Sequence, residues 1–364
     1  MNLSMRFAGC LAALGVAWGA AGEVELMRVW GDEILGAYKH PAAITQLQNG
    51  DLYITYYGGT GEYEDDAVVW GTRLPAGEDE WTFPEVLADT PFLSEGNGIA
   101  WQAPDGLVWL FYVQRYGETW SEARVKAKVS EDNAETWSDS TMIAFEEGSM
   151  ARGLPIVLED GDYLLPLYHE TGHDRQIVGP DTTSFFLRHD PETREWTRSN
   201  HVYSRQGNLQ AEPAIIDGDH LVAYARRGGG YEPVDDGWMV RMESFDGGLT
   251  WNHGEETTLP NPNSAVSFIR LESGNHLLVY NDSMNRRTPL VAALSTDGDE
   301  SYAYKITIGD EDNTYAYPMA IQADDGTIHV VYTTDSRETI MVASFTEEYL
   351  LDNPLDEPLV PLRR

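Results

Sequence analysis

The sequence predicts an all-β protein, a six-bladed β-propeller built from four-stranded antiparallel blades. Three observations predict it: a hairpin pattern that recurs six times, a second landmark in five of these units, and the absence of a helical hydrophobic period longer than a few turns. The 34 glycines, 11 tryptophans and 19 tyrosines among 364 residues favour one large all-β domain over the two domains that the length alone suggests.

The hairpin pattern consists of an apolar stretch, a short turn that ends in glycine, and a second stretch rich in Val, Ile, Leu and Tyr. Glycine supplies the positive φ that a tight hairpin turn needs, and the flanking residues suit a pleated, half-buried surface. Successive turn glycines lie 52 to 57 residues apart, at Gly50, Gly106, Gly161, Gly218, Gly274 and Gly326. Spacing this even indicates six copies of one structural unit.

An aromatic landmark follows the first five turns by 28 to 35 residues, at Trp81, Trp137, Trp196, Trp251 and Tyr302. It marks a second hairpin, so each unit is predicted to have four strands, and six such units in radial array form a propeller. The sixth unit ends early, near Leu350, and the β-rich segment Val24–Trp30 is predicted to supply its missing strand and close the ring. We therefore assign residues 23–350 to the propeller and residues 351–364 to a C-terminal tail, interpreted as loop.

Residues 1–22 have the layout of a secretory signal peptide. They contain one arginine, an apolar run from Phe7 to Trp18, and small residues up to Gly22. We therefore expect an exported protein, periplasmic or extracellular. The single cysteine, Cys10, lies in this segment, so the sequence predicts neither a disulfide nor a catalytic thiol in the exported form.

The charge balance excludes one class of partner. The chain has 24 Lys and Arg against 60 Asp and Glu, a net charge of −36, whereas nucleic-acid binding needs clustered bases to neutralise phosphates. The same charge argues against anionic membrane surfaces, and no apolar run beyond the signal is long enough for membrane insertion. The sequence leaves the oligomeric state open.

The string His169–Glu170–Thr171–Gly172–His173 fits the H-E-x-x-H pattern of zinc peptidases. That chemistry needs both histidines on one helix face, whereas here the string follows a strand-like segment and contains a glycine. We therefore predict no metal and no cofactor, and interpret the string as a loop at the mouth of the propeller.

The segment Ser244–Trp251, SFDGGLTW, matches the S-x-D-x-G-x-T-W Asp box, and Ser130–Trp137 and Ser295–Tyr302 are degenerate copies. On these boxes the chain resembles the six-bladed propellers of the sialidase (neuraminidase) superfamily. On the segment LPNPNSAVSFIRLESGNHLLVYNDS, residues 259–283, it resembles the bacterial sialidase-like BNR-repeat proteins. The box is structural, because its Asp and Ser bond the turn backbone while the aromatic residue packs beneath it. Its aspartates are therefore not candidates for chemistry.

The resemblance implies a catalytic set. Sialidases use a tyrosine nucleophile polarised by a glutamate, together with an aspartate acid/base. By order and spacing, the resemblance implies Tyr317 as nucleophile, Glu212 as its polarising residue and Asp66 as acid/base, with Asp65 as the alternative. A phenol has a pKa near ~10 and needs activation, and it suits a substrate whose own anion would repel a carboxylate nucleophile.

The resemblance also implies three arginines that grip a substrate carboxylate. Arg226 and Arg287 match two of them, with Arg286 as the alternative to Arg287. Where sialidases have Arg-Ile-Pro, this chain has Lys39-His40-Pro41, and lysine keeps the charge but lacks the bidentate fork. We therefore expect Arg226, Arg287 and Lys39 to bind an anionic sugar, with His40 beside them.

Together these features predict an exported sialidase-like glycoside hydrolase that acts on an anionic sugar, a sialoside or a related acid, by a retaining mechanism. Two alternatives from other classes stay open. A polysaccharide lyase on uronate-containing glycans would use His40 or His169 with a tyrosine, and a propeller that only binds carbohydrate would need no catalytic set. Convergence of the candidate residues at one mouth of the ring would indicate an enzyme. Their dispersal over the outside would leave only the propeller that binds carbohydrate.

Overall fold

The computed structural model describes residues 23–34 and 36–362, so the predicted signal peptide lies outside the described residues. Six antiparallel sheets follow one another along the chain as blades. The first strand of each blade contacts the preceding blade around the ring. The structure thus confirms the six-bladed propeller.

Strand β1 (Glu25–Trp30) precedes blade 1 and belongs to blade 6. Blade 1 contains β2 (Tyr38–Gln46), β3 (Leu52–Gly59), β4 (Val68–Leu74) and β5 (Glu85–Ala88). Blade 2 contains β6 (Ser94–Gln102), β7 (Val108–Arg115), β8 (Ala123–Ser130) and β9 (Thr141–Ala144). Blade 3 contains β10 (Ser149–Ala151), β11 (Ile156–Val157), β12 (Tyr163–His169), β14 (Thr183–His189) and β15 (Trp196–Arg198), with β13 (Ile177–Val178) in the connection between β12 and β14.

Blade 4 contains β16 (Asn208–Asp217), β17 (His220–Arg227), β19 (Trp238–Ser244) and β20 (Glu255–Pro260), and β18 (Gly229–Gly230) pairs with β13. Blade 5 contains β21 (Ser267–Arg270), β22 (His276–Asn281), β23 (Leu290–Ser295), β24 (Tyr302–Gly309) and β28 (Pro354–Leu359). Blade 6 contains β25 (Ala316–Gln322), β26 (Ile328–Thr334), β27 (Thr339–Phe345) and β1. The helical pieces are the 3₁₀ turns Trp120–Glu122 and Asp335–Arg337 and helix α1 (Glu347–Leu351).

The N-terminal strand closes the ring, as the sequence predicts. Strand β1 pairs antiparallel with β27, from Glu25 opposite Ser344 to Trp30 opposite Ile340. The first strand of the chain thereby becomes the outer strand of the last blade. This pairing ties the two ends of the ring together and covers the edge that β27 would otherwise expose.

The C-terminal tail differs from the predicted loop. Residues Pro354–Leu359 form β28, which pairs with β24 at Tyr302 and Tyr304 as a fifth strand of blade 5. The prediction of loop was wrong because prolines usually indicate an interrupted strand. An outermost strand tolerates them, since one of its edges needs no hydrogen-bond donors.

The Asp-box turn of blade 4 forms the structural unit that the sequence predicts. The Asp246 carboxylate accepts bonds from the Ser244 hydroxyl (2.9 Å), the Thr250 backbone N–H (2.8 Å) and the Thr250 hydroxyl (2.6 Å). The Trp251 ring lies beneath the turn, 5% exposed, and stacks on Phe186 of blade 3 with ring centroids 4.1 Å apart. The turn therefore joins two neighbouring blades.

The innermost strands of four blades bulge at the same level, close to where each strand begins. The irregular positions hold His40 in β2, Asn97 in β6, Gln210 in β16 and Tyr317 in β25. Asn97, Gln210 and Tyr317 have positive φ values of 43°, 58° and 54°, which are uncommon for residues other than glycine and cluster at functional sites. A bulge redirects the side chain, and here four side chains point towards one end of the axis.

Candidate active site

A cavity opens at the end of the axis where the innermost strands begin. All four bulged residues, His40, Asn97, Gln210 and Tyr317, line it. A larger outer cavity adjoins it and shares the side chains of Glu62, Tyr63, Arg175 and Tyr231. We call the two cavities together the mouth.

Tyr317 lies at the centre of a group of arginines. The Nη1 atom of Arg226 donates to the Tyr317 hydroxyl. The guanidinium carbons of Arg226 and Arg287 lie 5.5 and 5.2 Å from the centroid of the Tyr317 ring. Burial raises the pKa of Tyr317, but Arg226, Arg287 and Arg337 together lower it below the usual value for a phenol.

Arg226 and Arg287 are held by neutral acceptors. Asn263 connects them, because its side-chain oxygen accepts from Nε of Arg226 (2.5 Å) and its backbone carbonyl accepts from Arg287 (3.0 Å). Arg226 also donates to the Tyr231 hydroxyl (2.8 Å). Among the described residues, neither arginine forms a salt bridge with a carboxylate. Burial and the nearby positive charge of Arg337 lower the pKa of Arg287 to about 10.

Arg337 is the third arginine at the mouth, and the sequence analysis missed it. It ends a 3₁₀ turn in which Asp335, Ser336 and Arg337 all have positive φ, between 51° and 74°. Its Nη1 donates to Glu62 (2.7 Å) and to the Tyr38 hydroxyl (3.2 Å). One signal was available: Arg337 follows the second strand of blade 6, and Arg287 follows the second strand of blade 5.

Lys39 does not line the mouth, whereas its neighbour His40 does. The Lys39 ammonium is buried and donates to the Gly36 carbonyl (2.7 Å). The His40 ring lies edge-on to Tyr317, with centroids 4.2 Å apart, and its Nδ1 bonds the Thr333 hydroxyl (2.6 Å). Neighbouring residues of a strand point to opposite faces, which explains why only one of the pair reaches the cavity.

Glu212 lies beneath the cavity and does not line it. Its carboxylate forms a buried salt bridge with Arg152 (2.6 Å), and Arg152 also donates to the backbone carbonyl of Tyr317 (3.0 Å). Gln210 takes the cavity-facing position, where its oxygen accepts from Arg226 (3.3 Å) and its amide donates to the Tyr168 hydroxyl (3.3 Å). The bulge in β16 separates the two residues. The predicted contact of Glu212 with the Tyr317 hydroxyl is therefore not formed.

The structure also separates the paired alternatives. The Asp66 carboxylate accepts from the Thr60 backbone N–H (3.0 Å) and hydroxyl (3.0 Å), and the side chain does not line the mouth. Asp65 lies beside Arg115 (3.7 Å) in a neighbouring surface pocket. From the same loop, Glu62 is the carboxylate that reaches the cavity.

Arg286 and Arg287 also take different positions. Arg286 is exposed and pairs with Asp312 at the surface (2.5 Å). Arg287 lines the outer cavity, so it is the member of the pair that belongs to the mouth.

The H-E-x-x-H string contributes its glutamate to the cavity. It starts at the last residue of β12 and continues into a loop. Glu170 lines the cavity, and burial, with a smaller effect of Glu62, raises the pKa of its carboxyl to about 7. His169 bonds the Glu147 carbonyl instead (2.9 Å). Within residues 23–34 and 36–362, no group of three or more His, Cys, Asp or Glu could hold a metal ion, and no helix is long and apolar enough to span a bilayer.

Comparison with solved structures shows which proteins share this fold. A sialidase described as Hadza microbial sialidase Hz136 superposes with a TM-score of 0.71 at 16% identity, covering 86% of this chain and 66% of that one. The intramolecular trans-sialidase from Ruminococcus gnavus, in complex with oseltamivir carboxylate, gives 0.70 at 13% identity, covering 88% and 97%. A protein of unknown function from Dyadobacter fermentans gives 0.70 at 16% identity, covering 88% and 98%. At such identities the likeness establishes the fold.

No curated protein matches the sequence. The model of the BNR repeat-like domain family matches residues 50–330, from the first turn glycine to the middle of the sixth hairpin. With this match over more than half of its length, the chain belongs to the BNR repeat-like domain family, and it shares the propeller fold of sialidases.

Proposed function

We propose that the chain is an exported sialidase-like glycoside hydrolase that cleaves an anionic sugar, a sialoside or a related acid, with retention of configuration, through Tyr317. One observation carries the proposal. Arg226, Arg287 and Arg337, from three different blades, surround one buried tyrosine at the mouth of the ring.

The arginines require an anion. Arg226 is 2% exposed and, among the described residues, lacks a carboxylate partner, and a buried charge without a counter-ion is costly. A carboxylate on the substrate would remove this cost, and guanidinium groups bind carboxylates bidentately. The neighbours whose titles name sialidases support a sialoside as the first substrate to try.

The same arginines activate the tyrosine. Because they lower the pKa of the Tyr317 hydroxyl, they favour the phenolate, which is the nucleophilic form. The phenolate oxygen attacks the anomeric carbon while the glycosidic C–O bond breaks and the leaving oxygen takes a proton. Water then cleaves the glycosyl–tyrosine bond and restores the original configuration. In this scheme positive charge replaces the carboxylate base that the family resemblance implies at Glu212.

One observation favours a lyase as the second candidate. The Thr333 hydroxyl donates to the Ala316 carbonyl (3.4 Å), so its oxygen accepts from Nδ1–H of His40 (2.6 Å). This arrangement leaves the Nε2 lone pair of His40 buried and without a partner, while burial and the arginines hold the pKa of His40 well below its usual value. A neutral imidazole beside a carboxylate-binding site could abstract the proton α to a uronate carboxylate.

The test uses the full exported chain, Tyr317→Phe, and Tyr203→Phe as the matched control, since Tyr203 is an exposed tyrosine that does not line the mouth. Each is assayed on an α-sialoside and on a uronate polymer, with the product anomer followed by NMR. We expect sialic acid to be released first as the α-anomer, and Tyr317→Phe to abolish turnover while Tyr203→Phe retains it. Turnover by Tyr317→Phe contradicts the hydrolase. An unsaturated product that absorbs ultraviolet light also contradicts the hydrolase, and it supports the lyase.

A further inference from the structure

We propose that Glu170 is the proton donor to the leaving-group oxygen of the reaction proposed above, on which this inference rests. The glutamate of the H-E-x-x-H string thereby takes the acid/base role that the sequence analysis gives to Asp66. The proposal stands on three features of the mouth: the anchoring of Glu170, the absence of a partner for its carboxyl group, and the arrangements that occupy the other carboxylates.

The backbone of Glu170 is fixed on both sides. Its N–H donates to the Gly148 carbonyl (2.8 Å), and the next N–H, of Thr171, donates to the Thr182 hydroxyl (3.1 Å). Gly148 has a φ of 84°, and a Cβ atom there would lie 2.4 Å from the Glu170 carbonyl oxygen. The site therefore requires glycine at position 148, and this close approach holds the side chain of Glu170 against the cavity.

The carboxyl group of Glu170 lines the cavity without a hydrogen-bond partner among the described residues. It acts electrostatically on Arg226 across the cavity and on Tyr168. With a pKa raised to about 7 by burial, it is a proton reservoir at neutral pH, as a general acid must be. The charged and titratable groups that line the cavity with it belong to blades 1, 3, 4 and 6: His40, Tyr57, Glu62, Tyr63, Tyr168, Asp174, Arg175, Arg226, Tyr231 and Tyr317.

The other carboxylates near the mouth are occupied. Glu62 accepts a bond from Arg337 (2.7 Å). Asp174 accepts from the backbone N–H of Gln176 (2.8 Å), two residues along its own loop. Asp66 accepts three bonds from Thr60 and lies outside the mouth. Among these four, only the Glu170 carboxyl lacks a hydrogen-bond partner among the described residues.

Glu170 gives a proton in the first step of the reaction and takes one back in the second. As the glycosidic bond breaks, its electron pair goes to the leaving oxygen, which takes the Glu170 proton, while the Tyr317 oxygen bonds the anomeric carbon. In the second step the Glu170 carboxylate takes a proton from the attacking water. The new C–O bond forms as the bond to Tyr317 breaks, and the phenolate returns.

The experiment compares Glu170→Gln with Asp66→Asn, an equal change outside the mouth, on two sialosides. One has a sugar as leaving group, which needs protonation, and the other a nitrophenol, which leaves as its anion. We expect Glu170→Gln to lower kcat/KM by about 10²–10⁴-fold on the first and by much less on the second, and to remove the decline in rate above about pH 7 that we expect of the wild type. Asp66→Asn should behave as the wild type on both.

The outcomes distinguish a failure of the role of Glu170 from a failure of the proposed function. If the wild type cleaves neither sialoside, the proposed function fails for sialosides. If it cleaves both and Glu170→Gln loses the same factor on each, the proposed function stands and Glu170 is not the proton donor. Infrared difference spectra of wild type against Glu170→Gln give a readout independent of turnover. A protonated carboxyl band that persists to about pH 7 supports the proposal, and one that is lost near the usual glutamate value of ~4.3 overturns it.

Discussion

Charged side chains have different kinds of partner in the Asp-box turn of blade 4 and at the mouth of the ring. In the turn, Asp246 accepts bonds from Ser244 and Thr250, so its charge is fully partnered. At the mouth, Arg226 and Arg287 meet only neutral acceptors. Fully satisfied polar groups stabilise a fold, whereas buried charges that lack counter-charges are typical of a site that binds one. The comparison separates residues kept for structure from those available for function.

The largest effect is expected for Trp251→Ala in the Asp-box turn. Trp251 is buried and stacks on Phe186 of the next blade, so its truncation leaves a cavity between two blades and should cost about 3–5 kcal/mol of unfolding free energy. Urea denaturation measures the loss. At a temperature where the variant is folded, kcat should match the wild type, and a variant that kept its denaturation midpoint would show that the turn does not join the blades.

At the mouth, Arg287→Ala should lower activity without lowering stability, the reverse of the effect expected for Trp251→Ala. Loss of one cationic group that binds substrate should lower kcat/KM by about 10²–10³-fold, while the denaturation midpoint stays the same or rises because a poorly compensated charge is removed. Arg286→Ala is the matched control, since Arg286 is adjacent in sequence but pairs with Asp312 at the surface. Equal activity in the two variants would contradict the role of the mouth.

A smaller, pH-dependent effect is expected in the degenerate Asp box of blade 2. Bonds from the Thr136 hydroxyl (2.6 Å) and backbone lower the pKa of Asp132 to about 2. Because the folded state prefers the ionised carboxylate, this stabilisation is complete above the unfolded-state pKa and is lost as the pH falls through about 2. Asp132→Asn should therefore lower the denaturation midpoint near neutral pH, and the difference from wild type should shrink in acid. A difference independent of pH would exclude this cause.

The same contrast explains how much the sequence could predict. The blades could be predicted because turn glycines and Asp boxes are local sequence patterns. The turn glycine recurs six times, and the Asp box occurs once in full and twice in degenerate form. Tyr317, Arg226 and Arg287 could be placed by their resemblance in order and spacing to the sialidase set, and the structure brings them together. The sequence could not predict that Gln210 faces the cavity and Glu212 does not. A bulge shifts the strand register by one residue and so exchanges the two faces of the strand. Arg337 comes from a turn with no recognisable motif.

The smallest effect is expected at Lys39, which the sequence analysis placed with the arginines. Its ammonium is buried, bonds the Gly36 carbonyl and lies outside the mouth. Lys39→Arg keeps the positive charge and should leave kcat/KM close to the wild-type value, even if the larger buried side chain lowers the denaturation midpoint. Arg337→Lys keeps the charge but loses the planar guanidinium, whose Nη1 bonds both Glu62 and Tyr38 and whose fork suits a carboxylate, so under the proposed function it should weaken binding of sialic acid. Calorimetric titration of both variants decides the matter. Tighter binding by Lys39→Arg, with Arg337→Lys unchanged, would return the third anchor to the strand where the family resemblance implies it.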